Sequence, residues 1–146
     1  MTAYWPVVQA RLVDLLPTLL PAGVVVFDGP SAGREKGAKQ YVTVGATAEG
    51  AGGSYTQPDS ATSGDFRAEQ GQVECEFTDW SGDSNAPTKR GVVFGWADLL
   101  EASVRADQTL GVLPKGSVTE LAGELVMGAT TVRLVVTLSY LVPLAP

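Results

Sequence analysis

The chain has 146 residues, with 16 acidic against 10 basic side chains, a formal charge of −6, no histidine and one cysteine. That length suits one domain around a single apolar core, here 1–146. The counts exclude a basic footprint for gripping phosphates, imidazole general-base or metal chemistry, and an intrachain disulfide.

The first element expected is an amphipathic helix from Tyr4 to about Leu20, because Val8, Leu12, Leu15 and Leu19 recur at helical steps while Gln9, Arg11 and Asp14 fall off that stripe. Pro17 is expected to kink it or end it early, and Pro21, Ala22 and Gly23 supply a stop. Val24–Phe27 then reads as a short strand closed by Asp28, Gly29 and Pro30. After a connection bearing Arg34, Lys36 and Lys39, Tyr41–Val44 reads as a second strand.

From Gly45 to about Asp65 the residues are small and polar, with Tyr55 the one large side chain before Phe66. This predicts a long flexible loop at about 46–65, and a loop of that length in a compact domain is commonly functional or mobile. In an assembling protein it would suit an arm ordered by neighbours. From Gln72 to Trp80, Val73, Cys75 and Phe77 alternate with Glu74, Glu76 and Thr78, the pattern of a half-buried strand.

Ser81–Asn85 offers a turn and a helix N-cap, and Pro87 is tolerable in the first turn of the helix expected over Ala86–Ala106. Val93, Trp96, Leu100 and Val104 form its apolar stripe, widened by Val92 and Leu99. Gly91 and Gly95, one turn apart, suggest close approach of another backbone. Val118–Val126 and Thr131–Val142, separated by Met127, Gly128 and Ala129, predict a closing hairpin. Its last strand is apolar on much of both faces and is expected in the sheet interior or under cover. The order helix, three strands, helix, two strands predicts an α+β fold, two helices packed on a mostly antiparallel sheet of about five strands.

Chemical signatures are few. Gly29, Gly33 and Lys36 follow a valine-rich strand, but their spacing does not match a phosphate loop. Glu74 and Glu76 share a strand face near Asp79, a pairing that metal or glycosidic chemistry would recruit and that an exposed polar face or a subunit contact explains more simply. Cys75 sits in an alternating apolar pattern, as a structural thiol does. No serine lies in a G-x-S-x-G elbow and no histidine is present to activate one. Trp5, Trp80 and Trp96 read as core or interface anchors. No enzyme activity and no cofactor is expected. Without an apolar run of about 18 residues or a basic leader region, the expectation is no membrane association and synthesis in the cytoplasm.

Taken in order, the helix Ala10–Leu20, the strand and turn Val24–Pro30, the strand Tyr41–Gly45, the acidic strand Val73–Trp80 with Ser81, Gly82 and Asp83, the helix Val92–Arg105, Asp107–Gly111 and the hairpin ending at Tyr140 resemble the tail terminator, or tail completion, proteins of siphophage-type bacteriophages. The resemblance covers nearly the whole chain except Ala46–Asp65. It implies a structural virion protein at the head–tail junction, forming a hexameric ring that caps the tail tube, ends its polymerisation and presents a surface to the head connector. Implied partners are further copies of itself, the tail tube protein and the connector, with DNA as passing cargo; an acidic surface suits such a passage. The family carries no catalytic residues over. Tyr55, Phe66, Glu74 and Glu76 are the candidate contact residues. Alternatives are another ring component of the neck or connector, a host binding module with an apolar groove, and an enzyme built on the carboxylates and Cys75.

Overall fold

Eight elements are present in a computed structural model that describes residues 3–30, 39–48, 52–57, 68–80, 86–114, 117–128 and 131–144. The first is helix α1 (Trp5–Leu19), which has Pro6 in its first turn, where a missing N–H is harmless. Its buried stripe is Val8, Leu12, Leu15 and Leu16. Pro17 neither ends nor shortens the helix: it lies in the last turn, where only one bond is lost, and the Leu20 amide still donates to the Leu16 carbonyl at 3.0 Å. Burial of Leu15, Leu16 and Leu20 holds that turn closed.

Strands β1 (Val25–Asp28), β2 (Gln40–Val44), β3 (Gly53–Thr56) and β4 (Ala68–Asp79) follow, then helix α2 (Ala86–Ala106) and the hairpin β5 (Val118–Met127) and β6 (Val132–Pro143). They make one six-stranded sheet in the order β1-β2-β4-β6-β5, with β3 also on β4. Only β1 and β2 run parallel; every other pair is antiparallel. The expected α+β class and element order therefore hold, with β6 in the sheet interior as its two-sided apolar sequence requires.

The sixth strand, β3, falls within the stretch read as a loop. Gly53, Ser54 and Thr56 have weak strand preference, so local sequence does not announce it; its pairing comes from β4, which extends back to Ala68 and offers an edge. β2 and β3 lie end to end along that edge, opposite 75–79 and 70–73. Between them the Gly45 amide donates to the Glu74 carbonyl (2.8 Å) and the Glu74 amide to the Gly52 carbonyl (3.0 Å). A Cβ on Gly52 would overlap the Gly45 carbonyl, so only glycine allows the chain to rejoin the edge there.

Both helices lie on one face of the sheet. Alternation sends Val73, Cys75 and Phe77 of β4 and Leu134, Val136 and Leu138 of β6 toward them, against Leu12 and Leu16 of α1 and Trp96 and Leu100 of α2. The Phe77 and Trp96 rings meet at 6.4 Å. Val93, Trp96, Leu100 and Val104 form the buried stripe of α2, but Leu99 points outward and is exposed. Gly91 and Gly95 are also exposed, and nothing lies within 4 Å of where their side chains would begin. Close approach of another backbone is thus not what these glycines serve within the described chain. The N-cap expected at 81–85 lies outside the described residues.

Candidate interaction surfaces

The face of the sheet away from the helices differs chemically from the covered one. Register places Glu76 of β4, Val135 of β6 and Glu124 of β5 in one row across it, with Glu74 opposite Thr137 in the next. Arg133, opposite Thr78, is the one cation that these three strands bring to this face among the described residues. With Glu120 of β5 opposite Ser139, four carboxylates against one guanidinium give that face a negative balance.

The expected contact residues do not form one cluster. Tyr55 stands opposite Gly71, which puts it on the helix side of β3, and half of it is exposed. Glu74 is half-buried on the face away from the helices. Glu76 is buried: its oxygens accept from the Ala48 amide at 3.1 and 3.3 Å, and Oε1 lies 3.8 Å from Arg133 Nε. The exposed polar face inferred for both glutamates thus holds for Glu74 only in part and not for Glu76, whose carboxylate fastens the chain after β2 over the sheet. Phe66 lies outside the described residues.

A carboxylate not singled out in the sequence is held by three separate donors. Glu69, on the helix side of β4, is fully buried. It accepts from the Tyr4 amide with both oxygens (3.0 and 2.9 Å), from Gln57 Nε2 (2.7 Å) and from the Tyr140 hydroxyl (2.6 Å). The Tyr4 amide belongs to the N-terminus of α1, where orphan N–H groups and the helix dipole favour an anion. Burial, then the Glu69 hydrogen bond, push the Tyr140 hydroxyl well above the ordinary tyrosine range. The sequence did carry a signal: Glu69 and Gly71 continue the alternation of Val73, Cys75 and Phe77 backwards, and so had to face inward. Gly71 is required because a Cβ there would enter the Tyr140 ring.

The outer edge of β5 has no strand beside it among the described residues, and most of its side chains are exposed. Leu121, Gly123, Leu125 and Met127 face the helix side by register, but α2 covers them incompletely. A concavity of about 400 Å³ lies beside Gln70, Gln72, Ser54 and Ser139; the side chains on its walls are uncharged.

None of these sites offers an activated nucleophile. Burial, with Glu74 adding to it, pushes the Cys75 thiol up to about 12, far from a reactive thiolate at neutral pH. Among the described residues no three histidine, cysteine or acidic side chains converge to hold a metal ion. Among the described residues no helix is long and apolar enough to cross a membrane. No protein-family model matches the chain, and no curated protein matches it.

Proposed function

We propose that this protein is a structural subunit of a phage head–tail junction, of the tail terminator kind, which assembles into a hexameric ring on the end of the tail tube, stops its growth and meets the head connector. The observation that carries the reading is the sheet face away from the helices, where Glu120 and Glu124 stand exposed and Glu74 half-buried, while the end bearing Tyr41, Thr43, Glu76 and Thr78 is covered. Facing a lumen, such a surface would keep a DNA backbone from adsorbing while it passes. A ring also needs each copy to present two unlike patches to its neighbours. The short outer edge of β1, with exposed Val25, and the margin around exposed Tyr55 on β3 are available for that.

Negative-stain microscopy with particle mass, on the concentrated protein alone and mixed with the tail tube protein of the same particle, tests the proposal. Rings of about six copies, or tubes that are capped and shortened, are expected. A monomer that leaves tube length unchanged at every concentration overturns it.

A further inference from the structure

The groove between α2 and β5 carries a separate assignment. Its upper part, about 240 Å³, lies between Phe94, Ala97 and Asp98 on the helix and Leu121–Gly123 on the strand, over Leu134 and Val136. Its lower part, about 260 Å³, runs on toward Gln108 and Val118. The two share Glu101 and Leu121, so they form one trough. From Phe94 to Gln108 that is roughly 20 Å at the helical rise, the length of a strand of about six residues.

Three independent features describe what fits there. Beyond Val118, whose amide donates to the Gln108 carbonyl, the outer main chain of β5 has no strand beside it among the described residues and is a template for one more. Phe94, Leu125 and Met127 are large apolar side chains left exposed beside it, suited to alternate apolar residues of an incoming segment. The charged lining is Asp98, Glu101 and Glu120 against Arg105, and Arg105 is already paired with Glu101. Arg90, one turn before Phe94, is not part of the lining. A second copy of this chain brings a charge of −6 to an acidic trough, so like charge would face like.

We propose that the trough is a docking site for an extended segment of a different protein, apolar at alternate positions and bearing lysine or arginine at its ends, which adds as a strand to the outer edge of β5. The site goes beyond the ring reading and does not depend on it, since a ring uses other surfaces. If both hold, the strand comes from the protein stacked on the ring.

The test uses the full chain, isotope-labelled, and a peptide of about ten alternating valines and threonines with two lysines at each end, beside a twin ending in glutamates. The lysine peptide is expected to shift amides of 118–127 and of the groove side of α2. Its affinity should exceed that of the glutamate twin by about tenfold at low salt, the gap narrowing as salt is added. Charge reversal at two exposed positions, Asp98→Lys with Glu101→Lys, should invert the preference, and Phe94→Ser should weaken both peptides. Equal binding of the twins, shifts centred elsewhere, or no binding at about 1 mM overturns the proposal. So does concentration-dependent protection of 118–127 in the protein alone, which would make a second copy the occupant. Ring formation is scored separately by microscopy, so loss of one reading leaves the other standing.

Discussion

The two margins of the sheet handle their polar groups in opposite ways. Around β3 and the start of β4, Glu69 turns inward and answers three separate partners, Gly71 yields its side-chain space to Tyr140, and Gly52 lets backbone meet backbone. Along β5 the glutamates turn outward, Gly123 meets only ordinary contacts, and large apolar side chains remain uncovered. The first margin is locked by groups that have no alternative partner once buried. The second leaves apolar side chains uncovered and, beyond Val118, a main-chain edge with no strand beside it among the described residues. A surface for assembly is therefore better sought where polar groups are left over than where they are most densely gathered.

The strongest way to break this comparison is Glu69→Ala. It strands the Tyr4 amide, the Tyr140 hydroxyl and the Gln57 amide together, and should lower unfolding free energy by about 3 kcal/mol in urea titration, whereas Glu124→Ala on β5 should change it by less than about 0.5 kcal/mol. Next comes a matched pair of glycines. Gly71→Val drives a side chain into the Tyr140 ring and should cost about 2 kcal/mol; Gly123→Val, whose Cβ would meet Leu134 at 3.4 Å, should be near neutral. If both valines proved equally harmful, the two margins would not differ as argued.

The pH dependence of stability sharpens the same contrast. Below pH 9 the Cys75 thiol is neutral in both folded and unfolded chains; above its ordinary value of 9.0 the unfolded thiol ionises while the buried one stays neutral up to about 12. Stability should be complete below pH 9 and fall by up to about 1.4 kcal/mol per pH unit across that window. Tyr140 pushes in the same direction. Replacing Cys75 with alanine should flatten the part of the slope nearest pH 9, as read by chemical denaturation at a series of pH values. A smaller stability effect belongs to Leu125→Ser, about 1 kcal/mol, since that side chain is only partly covered; its larger consequence should lie in strand docking.

Periodicity made much of the fold legible. The stripe of α2 and the alternation of β4 and β6 are carried by large apolar residues whose burial leaves no second arrangement, and α2 spans the residues its pattern delimits. What stayed hidden depends on partners far away in sequence. Strand β3 has no apolar pattern because its job is to supply backbone to β4, and a Gly-Ser-rich stretch reads as loop until that edge exists. Glu76 looked like a surface carboxylate because alternation gives a side chain's face but not what lies over that face; the chain at Ala48 does, and its amide donates to both Glu76 oxygens. The β5 margin was foreshadowed only by glutamates at 120 and 124 in an otherwise apolar strand.

The Glu69 carboxylate joins positions 65 residues behind it and 71 ahead of it, tying the first helix to the last strand through the middle of the chain. Contacts of such separation close late, after the intervening loops have surrendered their entropy. The network therefore belongs to the last stage of folding and acts chiefly as a brake on unfolding. Weakening it should leave the refolding rate almost unchanged while native molecules open faster. Replacing Glu69 should therefore shorten the lifetime of the closed state far more than it delays its formation.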